Sequence, residues 1–374
     1  MKEVDSCEKL EAVFAQASFQ FCGHIDEYLI RHTRHLCLMY CQPRFGDHHH
    51  TLRRYEDGVL IEERNIRSSQ GRFAYYWLWF WHHNVELWRF ARKQQGSTLV
   101  VVGHPIGCFG MWLSTRVCNL RYSYQIGDYF PSKSMVIRAY ERVKKFYNDH
   151  VDFAYYLSDA INRKINGLVR SEETRRTVMW GLKPFADCLV DRSGSRRILF
   201  VGLMRDGQGI EETLKFLSTH PEYSVALVGV AANGFERTIY RLIDEYKLGN
   251  RVYFQNRFHS ERELLEIAKT CFCGVAPYDL GMGNFTHYAD PGKVKAYAEF
   301  NLPVVMTRIS DIVPYIERFK SGIVIDSVDE LGTAISEVAA HYADYTKGLE
   351  AFNAHFEFER YYAEGYRAWK GVWR

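Results

Sequence analysis

The sequence predicts an α/β protein made of two Rossmann-like domains, and three observations carry that expectation. At 374 residues the chain is too long for one ordinary domain and suits two of moderate size. Apolar runs of four to six residues alternate with stretches of helical period, most cleanly from residue 197 onward. Turn residues fall between these runs. This is the pattern of a parallel sheet wrapped by helices, whose right-handed crossovers bring the strand C-termini to one ligand-binding edge.

The elements follow in order. In the first half, strands are expected at 10–19, 35–40, 59–62, 98–102 (TLVVV), 120–126, 153–157 and 177–180. Helices are expected between them at 23–31, 73–93, 136–150 and 160–168. In the second half, strands are expected at 197–201 (RILFV), 224–230 (SVALVGV), 251–255, 271–277 (CFCGVAP), 302–307 and 322–325. Helices are expected at 210–218, 235–247, 261–269, 293–300, 312–319 and 328–342. The polar stretch DRSGSR at 191–196 marks the boundary, giving domains at 1–192 and 193–344. The tail 345–374 reads as helical and unusually aromatic.

Composition narrows the partners. A formal net charge of +3 is too small to make nucleic acid the main partner. The nine cysteines are odd in number, none is spaced as a zinc ligand, and Cys37, Cys41, Cys271 and Cys273 sit inside apolar runs. They read as small core residues in a reducing, cytoplasmic compartment. The start MKEVDSCEKLEAVF has no charged segment followed by an apolar one, and no window of about 18 uninterrupted apolar residues occurs. Neither a signal peptide nor a membrane span is expected. The run FAYYWLWFW at 73–81, continuing to Phe90, is apolar on more than one face. It suits a half-buried helix, and it also suits contact with an anionic membrane surface.

Two segments carry chemistry. The loop Gly202 to Gly209 (GLMRDGQG) follows a strand and opens a helix. Its Gly202, Gly207 and Gly209 allow close backbone approach, Arg205 adds positive charge, and the helix start offers amides to a phosphate. The second segment is YADPGKVK at 288–295. There Lys293 and Lys295 at a helix start oppose the macrodipole, a placement explained if an anion shares the site.

These two segments, with 271–278 and the PGKVKAYAEFNLPVV run at 291–305, resemble the nucleotide-binding half of GT-B glycosyltransferases of the group-one type. The likeness extends over about 196–340. The runs RYSYQIGDYFP, FAYYLS and TVMWGLK resemble the acceptor half more loosely. The resemblance implies two facing Rossmann-like domains with a nucleotide-sugar between them and a C-terminal helix crossing back to the first domain. It implies transfer of a sugar from a nucleotide diphosphate to a glycan or lipid-linked acceptor, in bacterial surface polysaccharide synthesis, at the inner face of the membrane. No cofactor and no metal are expected. The donor-binding set is Gly202, Arg205, Gly207, Gln208, Gly209, Tyr278, Asp290, Lys293 and Lys295. Many relatives carry Arg and Lys where this chain has Leu203 and Gln208, and Arg205 would replace that charge. Gapless spacing back from Pro303 puts the two usual donor-flanking glutamates at Tyr288 and Ala296, leaving Asp290 or Glu299 to hold the ribose. Two rivals stay open: a non-catalytic nucleotide-sugar-binding relative, and a nucleotide-sugar epimerase on the same fold.

In the first half the candidates for chemistry are Asp128 and His104. Each is expected at the C-terminal end of a strand. Asp128 could take a proton from an acceptor hydroxyl, and His104, in a Gly-His-Pro turn, could orient the acceptor. His48-His49-His50 lacks the carboxylate or distant fourth ligand that a metal site needs.

Overall fold

The computed structural model describes residues 9–17, 24–41, 49–69, 71–232, 234–281 and 284–373. Residues 18–19 of the first expected strand, Gly23 and His48 lie outside them. The chain divides into two compact units, residues 1–181 with 358–374, and residues 182–357.

The first unit holds an eight-stranded sheet. Its strands are β1 (Leu10–Ala17), β2 (Thr33–Cys41), β3 (His49–Glu56), β4 (Val59–Arg67), β5 (Thr98–Val102), β6 (Leu120–Ile126), β7 (Phe153–Tyr156) and β8 (Arg175–Thr177), in the order β4-β3-β2-β1-β5-β6-β7-β8. The six strands from β2 to β8 in that order are parallel, as the alternation predicts. β3 and β4 add an antiparallel hairpin that the apolar pattern does not announce, because its side chains are largely charged. Charge pairs hold it across the strands, Arg53 to Glu63 at 2.7 Å and Arg54 to Glu62 at 3.0 Å. Its two-residue turn is Asp57-Gly58, both at positive φ (49° and 88°), as a hairpin of this twist requires.

Helices α1 (His24–His32), α2 (Arg72–Ala91), α3 (Met111–Val117), α4 (Met135–His150) and α5 (Asp159–Asn166) flank this sheet. Strand alternation sorts the core onto its two faces. Val13 and Ala15 join Tyr28 and Leu29 of α1 in one cluster. Phe14 points the other way, onto His83 and Phe90 of α2.

The second unit is a six-stranded, all-parallel sheet of β9 (Arg197–Val201), β10 (Ser224–Gly229), β11 (Val252–Asn256), β12 (Cys273–Ala276), β13 (Val304–Thr307) and β14 (Gly322–Ile325), in the order β11-β10-β9-β12-β13-β14. Its helices are α6 (Ile210–Thr219), α7 (Phe235–Glu245), α8 (Glu261–Ala268), α9 (Gly292–Glu299), α10 (Val313–Phe319), α11 (Leu331–Ala340) and α12 (Tyr342–His355). Every expected strand and helix of this half is present, within a few residues at the ends. Strands buried on both faces read as continuous apolar runs, which made them easy to find.

The aromatic tail divides. α12 stays with the second unit, and only α13 (Phe358–Gly365) and the 3-10 turns at Arg367–Trp373 pack on the first. Trp369 is fully buried there, and its indole donates to Ser123 Oγ at 3.2 Å. The Tyr362 hydroxyl accepts from the Gly181 amide at 3.0 Å.

The unit boundary falls at Gly181–Leu182, about ten residues before the polar stretch that suggested it. Arg192 explains why. Its buried guanidinium donates to the carbonyls of Cys188, Ala268, Phe300 and Asn301 at 2.8–3.2 Å and to the Tyr342 hydroxyl at 3.3 Å. That planar fork ties the connecting segment into the second unit. Arg192→Ala leaves several buried carbonyls without a donor and is expected to lower unfolding free energy by about 3–5 kcal/mol. Arg192→Lys should rescue only part of this; a denaturant midpoint unchanged by Arg192→Ala would contradict the assignment.

Candidate functional site

In the second unit the loop after β9 is pressed onto its neighbours by glycine. A Cβ on Gly229 would stand 2.0 Å from the Gly202 carbonyl oxygen, and one on Gly209 would stand 2.2 Å from that of Pro277. Gly202, Gly207 and Gly209 all have positive φ (121°, 74° and 79°). The Gly207 carbonyl accepts from the Asp279 amide at 3.1 Å, so the loop is stitched to the segment that leaves β12.

Beside this loop lies a cavity of about 420 Å³. Arg205, Gly207, Gly209 and Tyr278 of the expected donor set line it. The start of α6 also opens there, with Gly209 at its cap and no side chain capping its first amides. Arg205 lies over the Phe285 ring at 4.7 Å.

The lining also holds residues the sequence did not single out: Asp206, Glu211, Glu212, Asp279 and Asp326. One signal was available. Ser327 and Glu330 form a reciprocal capping box directly after β14, a pattern visible in the sequence at the ligand edge of the sheet. Glu211 and Glu212 already oppose the positive end of α6, so that helix start alone is a poor anion site. Carboxylates ringing a cavity suit the hydroxyls of a polyol, while a phosphate needs the cations nearby.

Lys293 supplies such a cation. Its ammonium donates to Gln208 Oε1 at 3.1 Å and lies over the rings of Phe200 (3.9 Å) and Tyr278 (4.7 Å). It forms no ion pair with any described residue. Burial, with some repulsion from Arg205, pulls it down to about 7. Gln208 is therefore the hydrogen-bond partner of a buried cation.

Lys295 goes elsewhere. It is buried, 3.8 Å from Asp290 and 3.2 Å from the centre of the Phe356 ring. Burial lowers its pKa against the pull of Asp290 and Glu299. The pairing of Lys293 and Lys295 at one anion is corrected here: two residues apart on a helix, they point to different sides. Asp290 is turned to Lys295, and of the expected donor set Gly202, Gln208, Asp290, Lys293 and Lys295 stand outside the cavity lining. Glu299 accepts from the Lys183 amide at 2.9 Å, and burial raises its carboxyl to about 8. Neither Asp290 nor Glu299 is thus placed as the replacement ribose ligand.

In the first unit, His104 and Asp128 stand just past the C-terminal ends of β5 and β6, which are neighbours in the sheet. Asp128 is exposed. Its carbonyl accepts from the buried Lys144 amine at 2.5 Å, which also bonds Glu141 at 3.0 Å. Lys144 escaped the sequence reading, although it falls on the same helical face as Tyr140 and Tyr147.

His104 is fixed from three sides. Its Nδ1 accepts from the Ile106 amide at 3.2 Å, and its own amide donates to Gln16 Oε1 at 2.8 Å. Tyr76, Trp79 and Tyr140 surround its ring, with centroids 6.1, 4.8 and 5.6 Å away. With Nδ1 committed as acceptor, the proton sits on Nε2, making the ring a hydrogen-bond donor rather than a base. His49 and His50 fall on alternate faces of β3, and no group of three or more metal-ligating side chains occurs among the described residues.

The fold has counterparts among solved structures. A sucrose-phosphate synthase from Thermosynechococcus elongatus matches at TM-score 0.70 and 15% identity, over 97% of this chain and 99% of that one. HepE of Anabaena, solved with UDP-glucose, matches at TM-score 0.66 and 11% identity, over 96% and 99%. An α,α-trehalose-phosphate synthase from Burkholderia vietnamiensis matches at TM-score 0.60 and 13% identity, over 96% and 99%. The fold is that of the GT-B glycosyltransferases. Residues 233–364 also match the family model of the glucosyltransferase 3-like C-terminal domain. No curated protein matches the chain by sequence.

Burial and the nearby Lys144 ammonium hold the His104 imidazolium down to about 4. Its carbon-bound ring proton, followed by NMR, should therefore titrate with a midpoint near 4 and stay flat between pH 6 and 8. A midpoint above 6 would remove the donor role assigned to its Nε2.

Proposed function

We propose that the protein is a glycosyltransferase that takes a sugar from a nucleotide diphosphate donor bound in the second unit. The observation that carries this is the setting of Lys293: an amine with no ion pair among the described residues, held by Gln208 and two aromatic rings beside a glycine loop, on a GT-B fold. Structures of this fold solved with UDP-glucose support the donor class. Lys293 and Arg205 would neutralise the leaving diphosphate, which makes a metal unnecessary. The carboxylates of the cavity would receive the sugar hydroxyls. Asp128 would act as general base on the acceptor, with His104 donating to it. The acceptor we infer is a glycan or lipid-linked precursor of a bacterial surface polysaccharide, met at the cytoplasmic face of the membrane.

The donor reading has a pH signature. The unfolded chain keeps the Lys293 proton up to its ordinary value of 10.5, whereas the fold releases it near 7. Between those values the unfolded state binds more protons, so this group's contribution to unliganded stability improves as pH rises. Diphosphate binding needs the charged form and runs the other way. UDP affinity measured by calorimetry in EDTA should weaken as pH rises through and above 7, and Lys293→Ala should lose both affinity and that pH dependence. A Lys293→Ala protein that binds UDP like the wild type would sink the proposal.

Asp128 is exposed at the end of a strand, so Asp128→Asn should keep the melting temperature and donor affinity. Transfer should fall by about 10²–10⁴-fold, the usual cost of removing a general base. A lowered melting temperature with transfer per folded molecule intact would make Asp128 structural. Product analysis on the same samples separates transfer from epimerisation and from binding alone.

A further inference from the structure

We infer that the first unit docks on an anionic lipid bilayer through the exposed aromatic and apolar groups of α2, α3 and α4. α2 places Phe73, Trp77, Trp81, Val85 and Trp88 at spacings of three or four, so they form one stripe, and all five are exposed. Trp77 is 54% exposed and Phe73 85%, far more than packed aromatics allow. Further aromatic pairs lie on the neighbouring elements. Phe80 meets Phe109 at 5.6 Å, and Trp112 at the start of α3 meets Phe146 of α4 at 5.4 Å. Leu113 on α3 and Met135 on α4 are 71% and 78% exposed. Large exposed apolar groups gathered on neighbouring helices in this number mark an interaction site.

Charge selects the occupant. α2, α3 and α4 carry three carboxylates, and each is already paired: Glu86 with Arg64 and Arg89, Glu141 with Lys144, and Asp149 with Lys145. Arg92, Arg116, Arg138 and Arg142 are exposed and form no ion pair with any described residue. They lie among the apolar groups. Arg92 stacks on Trp88 at 4.6 Å, and Arg138 and Arg142 share a stripe of α4 with Met135 and Phe146. Tryptophan and arginine interleaved on one surface, with no free carboxylate in its helices, match the interface of an anionic bilayer, where indoles sit at headgroup depth and guanidiniums meet phosphates.

α2 also touches the chemistry. Tyr76 and Trp79 contact His104 from the same helix whose Trp77 and Trp81 face outward. The docking face therefore adjoins the candidate acceptor edge. That the acceptor is lipid-linked rests on the functional reading above; the docking itself does not.

The test uses nucleotide-free, full-length protein and two vesicle types, phosphatidylcholine alone and phosphatidylcholine with phosphatidylglycerol. Sedimentation should bring the protein down with the mixed vesicles, weakly with the neutral ones, and less at high salt. Each basic residue near such a surface is worth about fivefold, so Arg138→Glu with Arg142→Glu should lower partitioning by about 25-fold or more. Trp77→Ser with Trp81→Ser should lower it by about tenfold or more. Melting temperatures show whether each variant is folded, and the arginine pair, being surface-exposed, keeps the test valid if the tryptophan pair is not. No binding to the mixed vesicles, or binding undiminished in both variants, would overturn the inference. So would a wild-type dimer, seen by light scattering, that the tryptophan substitutions turn into a monomer.

Discussion

The close approach of backbone to backbone at the ends of β9, β10 and β12 governs the second unit's site. Gly229 admits the Gly202 carbonyl, and Gly209 admits that of Pro277, at distances no side chain would permit. Because the loop lies that low, Gln208 is buried beneath it and reaches Lys293. Because α6 begins directly over the β12 exit, its first residues and the segment from Tyr278 to Leu280 share one cavity. A single methyl group at Gly209 would lift the loop and separate these parts. The glycines are therefore geometric requirements, and their chemistry is indirect: they decide which charged groups meet.

Those groups sort by sign. Lys293 lies between two rings on one side of the loop and is kept close to neutrality by burial. The carboxylates lie around the cavity, and one of them, Asp326, is already held by Arg308 at 2.6 Å. A purely anionic ligand would face repulsion across most of the cavity, and a neutral polyol would leave unmatched Lys293, which stands beside the glycine loop rather than in the cavity lining. A molecule with a diphosphate at one end and hydroxyls at the other satisfies both. A neutral partner such as Gln208 suits Lys293 here. With Arg205 already lowering the Lys293 pKa, another positive charge would discharge that ammonium further.

Much of the fold was legible because parallel strands are buried on both faces and announce themselves as apolar runs. The hairpin of β3 and β4 was not, because cross-strand ion pairs rather than apolar alternation hold it, though Asp57-Gly58 marked its turn. The boundary was displaced because Arg192, in a polar stretch that reads as a linker, is buried against four carbonyls. Within the site, the glycine loop, Arg205, Tyr278 and Lys293 were legible from their place after a strand or at a helix start. Lys295 was misplaced although the sequence held the correction: residues two apart on a helix diverge by about 200°. The carboxylates of the cavity were hidden because acids in a first helical turn or after a strand look like ordinary solvated residues until the fold gathers them.

The first unit shows the same economy at His104. Its Nδ1 is spent on capping the Pro105–Cys108 turn, and burial, with the nearby Lys144, disfavours the imidazolium. What remains is one N–H, held in direction by the ring contacts and by Gln16 behind the turn. Such a group can orient an acceptor oxygen without competing for its proton. That leaves proton removal to a residue in water, where a carboxylate stays charged. Asp128, exposed at the end of the adjacent strand and carried on a turn that Lys144 clamps, meets that condition. If the protein transfers a sugar as proposed, burial divides the labour: the buried neutral ring would position the acceptor, and the exposed carboxylate would take its proton.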